Sequence, residues 1–249
     1  MQIRSSAAIF AAVLLASAAA LQIARAQGGS PASLSALGAP YTETFDTLAA
    51  SGTSTVLPTG WGFLETGMNA NANYTAGTGS GNTGDTYCFG PAASADRALG
   101  GLQSASLVPL VGGFFSNDTG STIGSLEIVY TGEQWRLGTL GRIDRLDFQY
   151  SLNATSLDNG TWVDVDALDF LAPTTTGALG ALDGEAAANQ AAVAVQLRLR
   201  GDRAGAGSRA PQHRGRVVRP AVRGGSRQRR LSGGSALGGF DPSGTLVGP

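Results

Sequence analysis

The segment DRLDFQYSLNATSLDNGTWVDVDALDF, residues 144–170, carries the clearest strand pattern of the chain. Near its start, Leu146, Phe148 and Tyr150 alternate with polar residues, and TWVDVD alternates in the same way near its end. A period of two places successive side chains on opposite faces, as a β-strand does. The turn signal DNG, residues 158–160, lies between the two runs. The segment therefore predicts two strands joined by a turn-rich connection.

The same alternation recurs along most of the chain. Strands are predicted in YTETFDTL (residues 41–48), LEIVY (126–130) and VAVQLRL (193–199), and LPTGW (57–61) is a turn that leads into another. Residues 69–85 are rich in Gly, Asn and Thr and predict a polar loop. GEAAANQAA resembles a helix but is short and lacks an apolar stripe. The pattern predicts an all-β fold, an antiparallel β-sandwich of jelly-roll type over residues 41–199.

The N-terminus has the three parts of a secretion signal. Arg4 supplies a positive start, residues 7–21 form a 15-residue apolar run, and Ala24-Arg25-Ala26 matches an A-x-A cleavage site. The apolar run is shorter than the roughly 20 residues that a spanning helix needs, so no membrane span is expected. We expect residues 1–26 to be a signal peptide cleaved near Ala26, with residues 27–40 as a linker. The mature protein is then secreted or held at the cell surface.

Charge divides the chain of 249 residues into two unlike parts. Residues 27–196 hold 4 arginines against 16 acidic residues, a net charge of −12, whereas residues 197–249 hold 11 arginines against two aspartates. A tail at residues 200–249 that is rich in Arg and Gly lacks the apolar residues that would offset the entropy of ordering, so it is expected to be disordered. A nucleic-acid-binding arm is the alternative. The acidic body and the scarcity of aromatic residues in the tail do not favour nucleic acid as a partner.

Few residues offer catalytic chemistry. The single histidine, His213, lies in the tail, so residues 41–199 cannot hold a His-based triad or a multi-histidine metal site. Cys88 is the single cysteine, which excludes an internal disulfide and predicts a small buried apolar residue. We expect no enzyme activity, no catalytic residues and no organic cofactor.

Gly79, Gly81 and Gly84 match the spacing of a dinucleotide-binding fingerprint. In such a site the phosphates bind at the N-terminus of a helix, and no helix is predicted after these glycines. The motif is interpreted as a loop.

Acidic residues provide the main metal candidate, with Glu43 and Asp46 as a weaker second one. Asp164, Asp166 and Asp169 could supply hard oxygen ligands for calcium, which takes 6–8 of them. The alternative is a strand face that meets water. Tryptophan offers a possible ligand contact, because indole rings stack on sugars; burial in the core is the alternative for each tryptophan.

Several motifs together resemble a known family. They are ETFDTL with LPTGW, YTAGTGSGNTGDTYCFG, DRALGGL, YTGEQWR, the segment 144–170 and ALDGEAAANQ. In combination they are similar to a jelly-roll-like module of secreted bacterial proteins, including PEP-CTERM-sorted surface proteins and the accessory part of some extracellular endonucleases. The resemblance implies a non-catalytic extracellular module and carries over no ligand and no site residues. Our own expectation is that the module binds an extracellular ligand, with carbohydrate as one ligand class, or acts in adhesion. The alternative is a truncated accessory domain of a larger extracellular nuclease or other hydrolase.

The tail departs from the family's pattern. The family continues with an Ile-Ala-Pro-Gly-like turn and ends with a strand that closes in Asp-Asp-Phe. A shift of one nucleotide lets Asp202-Arg203-Ala204 be read as Ile-Ala-Pro and Arg229-Arg230-Leu231 as Asp-Asp-Phe, in the same frame. Our hypothesis is a frameshift near residues 197–201, which makes the arginine-rich tail an out-of-frame product.

Overall fold

The protein is almost entirely β-structure. Its computed structural model describes the backbone of residues 23–27, 29–199, 216–220 and 232–235, and the side chains of residues 29–199. The described helices are two single 3-10 turns, η1 (Asp166–Leu168) and η2 (Ala187–Asn189). The predicted all-β class is confirmed.

Eighteen strands are described. The first nine are β1 (Ile23–Gln27), β2 (Ala32–Leu34), β3 (Thr53–Ser54), β4 (Trp61–Thr66), β5 (Tyr74–Gly77), β6 (Asp85–Phe89), β7 (Ala98–Leu102), β8 (Val108–Asn117) and β9 (Ser125–Glu133). The others are β10 (Arg136–Leu137), β11 (Arg145–Leu146), β12 (Phe148–Ser151), β13 (Val163–Asp164), β14 (Phe170–Leu171), β15 (Gly180–Ala181), β16 (Gln190–Arg198), β17 (Arg216–Pro220) and β18 (Ser232–Ser235).

Two sheets of seven strands each form the body. Sheet I has the order β1-β4-β8-β17-β12-β13, with β2 added in parallel to β8. Sheet II has the order β16-β9-β18-β7-β6-β5-β3. All pairings are antiparallel except those of β2 with β8 and of β5 with β6, which makes both sheets mixed. Two small ribbons, β10 with β15 and β11 with β14, complete the described strands.

One apolar core lies between the sheets. Sheet I contributes large side chains such as Phe63 and Tyr150, and sheet II contributes Tyr130 and Leu99; each is at most 2% exposed. Packing of two sheets face to face over a shared core is the arrangement of a β-sandwich. Cys88 is fully buried in this core, as predicted.

The turn into β4 is as the sequence predicts. The backbone N–H of Trp61 donates to the carbonyl of Pro58 at 3.0 Å, and Gly60 has a φ of 82°. A side chain at position 60 would also clash, because its Cβ would lie 2.6 Å from the backbone nitrogen of Ala32. Glycine is therefore required here both for its backbone angle and for the close approach.

The strand predicted at residues 41–48 is wrong. Phe45 has a φ of 64°, and the N–H of Leu48 donates to its carbonyl at 2.9 Å, so the chain turns here. The alternation reflects burial rather than a strand, because the Phe45 ring is fully buried and packs edge-on against Trp61 at 4.7 Å. The carboxylate of Glu43 accepts from the N–H of Phe45 at 2.9 Å and stabilises the turn.

Two other predictions need correction. The polar loop predicted at residues 69–85 contains β5, whose first residue, Tyr74, is fully buried. Glycine and threonine obscured this strand because they are also common in loops. The helix-like segment at residues 184–192 contains only η2 and then enters β16.

The predicted terminal segments lie largely outside the described residues. Within the predicted signal peptide, residues 23–26 belong to β1, which pairs with β4. Within the tail predicted to be disordered, β17 lies between β8 and β12, and β18 lies between β7 and β9. The rest of the tail lies outside the described residues. The signal peptide and the disordered tail therefore stay predictions. In the part of the chain that is described, no helix is long and apolar enough to cross a membrane.

Candidate functional site

Burial raises the pKa of three carboxyl groups well above their ordinary values. The pKa is raised to about 7 for Glu65, to about 7 for Glu133 and to about 6 for Asp169. Each belongs to a different group of polar side chains. Perturbed carboxyl groups are more common at functional sites than elsewhere, although structural networks perturb them too. The three groups are therefore the candidate functional sites of the described residues.

Glu65 is buried between the two sheets and lies beside Asp85, which is half-buried. Glu65 is fully buried on β4, in a run whose other residues are mainly apolar, and Asp85 begins β6. The N–H of Thr86 donates to both carboxylates, at 2.7 Å to Glu65 Oε1 and at 3.0 Å to Asp85 Oδ1. The side-chain amide of Asn71 also bridges them, at 3.2 and 3.4 Å. The two carboxyl groups therefore lie side by side and share donors.

The arrangement explains the titration of Glu65. Burial raises its pKa, the donors Asn71 and Thr86 lower it, and the neighbouring Asp85 raises it again. Burial and the adjacent Asp85 disfavour the charged form of Glu65, so near neutrality Glu65 retains its proton for part of the time. Glu65 is therefore a proton-binding group inside the sandwich.

Glu65 makes folding stability depend on pH. A carboxyl group with a raised pKa binds its proton more tightly in the folded state than in the unfolded chain, whose glutamates titrate near 4.5. The stabilising effect is complete below that value and is lost as the pH rises through about 7. Glu133 and Asp169 act in the same direction, because their pKa values are also raised. The melting temperature should therefore fall between about pH 5 and about pH 8.

Substituting Glu65 tests this contribution. Glu65→Gln removes the titration and keeps one acceptor for the N–H of Thr86, but its amide nitrogen faces the two N–H donors of Asn71 that Glu65 Oε2 accepts. The variant should therefore flatten the fall of the melting temperature between about pH 5 and about pH 8, whatever its stability at a single pH. Thermal melts recorded across this pH range measure the change. Glu127→Gln, at an exposed position on β9, is the control and should leave the pH profile unchanged. If Glu65→Gln shows the same pH slope as the parent chain, the assignment is wrong.

Glu133 lies at the centre of an acidic rim, formed by Asp96, Glu133, Asp183 and Glu185. Glu133 ends β9 and is half-buried, whereas the other three are exposed. The indole N–H of Trp135 donates to Glu133 Oε2 at 2.8 Å. Burial raises the pKa of Glu133 most, and the negative charges of Asp96, Glu185 and Asp183 add to the increase. Three separate chain segments therefore bring like charges together at one surface.

Stacked aromatic rings support the rim. Tyr87 and Phe89 stack at 5.0 Å, and Phe89 lies nearly parallel to Trp135 at 6.3 Å. Glycines allow the close packing: a Cβ at Gly184 would lie 2.3 Å from the Trp135 ring, and one at Gly79 would lie 1.7 Å from the Trp135 carbonyl oxygen. Trp135 thus connects the rim to an aromatic layer whose other two rings, Tyr87 and Phe89, lie on β6 of sheet II.

The three aspartates predicted as calcium ligands lie in different surroundings. Asp164 is exposed and accepts from the side-chain amide of Gln149 at 3.3 Å, and Asp166 is exposed at the start of η1. Asp169 accepts from the N–H of Phe148 at 2.8 Å and pairs with Arg145 at 3.5 Å. Among the described residues, no three His, Cys, Asp or Glu side chains are grouped so as to hold a metal ion. The calcium site stays a prediction from the sequence.

Other residues considered in the sequence have structural roles. Trp61 and Trp135 are each 3% exposed and belong to the core, whereas Trp162 is half-buried. Gly79 and Gly81 lie in the loop between β5 and β6, as interpreted from the sequence. Arg136 holds this loop by donating to the carbonyl of Gly79 at 2.9 Å.

Sequence reasoning missed the carboxyl groups with the highest pKa values. Glu65 could have been noticed as a single acid within the apolar run WGFLET. No local signal connects it to Asp85, because the pairing forms only when β4 and β6 lie in facing sheets. The members of the acidic rim come from distant segments in the same way.

The chain was compared with known proteins at three levels. No protein-family model matches it, and neither a curated protein nor a solved structure does.

Proposed function

We propose that the chain is an exported, non-catalytic β-sandwich module that binds a ligand or acts in adhesion at the cell exterior. The N-terminal signal-like segment and the resemblance to modules of secreted bacterial proteins support export. The ligand class that we propose is carbohydrate. Secretion, the jelly-roll connectivity and the similarity to PEP-CTERM-sorted proteins belong to this proposal.

The observation that carries the proposal is the two-sheet body whose sheets share a large apolar core. The buried side chains of this body serve the packing: the aromatic rings fill the core or stack on sheet II. The interior carboxyl group of Glu65 is held by backbone and amide donors. In such a fold the buried core provides stability, and the residues that bind a ligand lie on the solvent-facing surface.

The acidic rim is where we expect the ligand to make contact first. Its three exposed carboxylates, Asp96, Asp183 and Glu185, can accept hydrogen bonds from neighbouring hydroxyl groups of a sugar. Hydrogen bonds that involve an ionised group are about twice as strong as those between neutral groups. The aromatic layer beneath holds the rim in place, so little order must be gained on binding.

A binding survey tests the proposal. The full chain should bind at least one polysaccharide in a glycan array, with affinity confirmed by calorimetry. The double variant Asp183→Asn/Glu185→Gln should weaken that binding at least about tenfold, since each change removes a charged acceptor. Asp46→Asn, another exposed position, is the matched control and should bind as the parent does.

The outcomes separate the two parts of the proposal. Binding that is unchanged in the double variant would place the ligand elsewhere and leave the ligand-binding role intact. A folded chain that binds no polysaccharide in the array would refute carbohydrate as the ligand class.

A further inference from the structure

Strand β16 ends sheet II with a long and regular edge. Its nine residues pair with β9 in one unbroken antiparallel register, from Gln190 with Glu133 to Arg198 with Ser125. In the part of the chain that the structure describes, β16 pairs with β9 alone. The opposite edge therefore presents a row of backbone N–H and C=O groups that can pair with another strand.

This edge lacks the features that usually prevent strand pairing. The sequence of β16 is QAAVAVQLR, with no proline and with Arg198 as its single charged residue. Native edge strands are commonly protected by charged residues, proline, bulges or short length. At the other end of sheet II, β3 has only two residues. Of the two ends of this sheet, β16 is the one suited to recruit a strand.

The core is incompletely covered along β16. Val193, Val195 and Ala191 pack against the core but are only partly buried, whereas Leu197 is 6% exposed. Ala192, Ala194 and Gln196 point to the other face and are exposed. A further strand beside β16 would cover the partly buried valines, which favours an occupant with apolar residues at alternating positions.

We propose that β16 is a dimerisation edge at which a second copy of this chain pairs through its own β16. An antiparallel pair centred on Ala194 uses all nine residues. It places Val193 opposite Val195 of the second copy, and Ala191 opposite Leu197 of the second copy. A small residue thus meets a large one, and the valines form cross-strand pairs on the core side.

Charge supports a second copy as the occupant. In this register Arg198 of the second copy lies opposite Gln190, whose neighbour on the other side is Glu133. Residues 190 and 198 share a face because their separation is even. The single cation of β16 therefore reaches the end of the sheet that carries the acidic rim, about two strand spacings or 10 Å from the β9 backbone. No like charges lie opposite each other in the pair.

The contact closes on itself. Each copy uses the same strand, so the interface is isologous and has twofold symmetry. Pairing covers the β16 edge of both copies, so no β16 edge is left to bind a third copy. The result is a dimer rather than a fibre.

A charge introduced at the centre of the edge tests the proposal. Sedimentation velocity of the full chain at micromolar to sub-millimolar concentration should show a dimer. Ala194→Lys places the two introduced lysines opposite each other and should raise the dimer dissociation constant at least about tenfold. Thr53→Lys, at an exposed position on β3 at the opposite end of sheet II, should dimerise as the parent does. Circular dichroism confirms that both variants are folded.

Two further measurements locate the interface. Arg198→Glu should also weaken the dimer, because it repels the acidic rim, and dimerisation of the parent should weaken in high salt. Ala194→Cys should give a disulfide-linked dimer on mild oxidation, whereas Ala188→Cys should not. A monomeric parent chain, or a dimer that survives Ala194→Lys without the Ala194→Cys crosslink, would overturn the proposal. If the parent chain aggregates, crosslinking of Ala194→Cys is compared with that of Ala188→Cys. Pairing through β16 is refuted if Ala194→Cys forms no disulfide-linked dimer, or forms no more of it than Ala188→Cys does.

Discussion

Replacing Gly79 by alanine should lower the free energy of unfolding by about 3–5 kcal/mol, near the upper end for single substitutions. Two effects combine. Gly79 has a φ of 77°, which alanine adopts only with strain, and the added Cβ would lie 1.7 Å from the carbonyl oxygen of Trp135. The loop cannot easily move away, because Arg136 donates to the carbonyls of Gly79 and Ser80 at 2.9 and 3.0 Å. Denaturant unfolding followed by tryptophan fluorescence measures the loss.

Gly81 provides a control within the same motif. A Cβ at this position meets only the hydroxyl oxygen of Tyr87, at 3.4 Å. Gly81→Ala should therefore change stability by no more than about 1 kcal/mol, in either direction. A phosphate-binding loop would instead need both glycines for close approach of the ligand. Equal losses in the two variants would contradict the packing role assigned to Gly79.

Replacing Arg97 by methionine should cost about 3 kcal/mol, because buried hydrogen-bond acceptors lose charged donors. Arg97 is 2% exposed and lies just before β7. Its guanidinium donates to the carbonyls of Pro91 at 3.1 Å and Gly77 at 3.3 Å, and also to that of Cys88. One side chain thus joins β5, β6 and the loop after β6. Methionine fills a similar volume but leaves the three carbonyl oxygens without this donor.

Lysine at the same position separates charge from geometry. Arg97→Lys keeps the positive charge but replaces the planar fork of donors by a single ammonium group. Its stability, measured by the same unfolding experiment, should fall between that of the parent and that of Arg97→Met. If Arg97→Met is as stable as the parent, the guanidinium contributes no net stability and the interpretation is wrong.

The strands with regular alternation could be predicted from the sequence. LEIVY lies within β9, and the alternation at residues 193–199 lies almost entirely within β16. In both cases one face packs against the core and the other meets solvent, which is the situation that produces a period of two. Central strands with both faces buried are harder to recognise. β7 is buried at all five residues and reads ALGGL, which has no alternation.

Backbone angles at single residues could not be predicted. Phe45 is part of an alternating pattern, yet its positive φ makes the segment a turn. Alternation reports which side chains are buried, and a turn that buries every second side chain produces the same signal. A left-handed angle at a phenylalanine is rare enough that no sequence rule anticipates it.

The candidate site depended on pairings between distant strands. The acids of residues 144–170 were conspicuous because they are close together in the sequence, but Asp164 and Asp169 have separate partners. Glu65 and Asp85 are separated by twenty positions and meet only across the core. The pKa of a carboxyl group depends on its burial and on neighbouring charges and donors in the folded structure. Composition and sequence spacing therefore could not predict the raised pKa of Glu65.

The positions of β17 and β18 have a consequence for how the protein forms during synthesis. Both strands come from the last part of the chain, and each sits between two strands made much earlier. Until residues 216–220 and 232–235 are in place, neither sheet can complete its strand order, because each lacks a central strand. Long-range pairing of this kind slows folding. It also prolongs the time during which unpaired strand edges can pair with other chains and aggregate. Chaperone dependence in the cell is the expected physiological counterpart of this order of assembly.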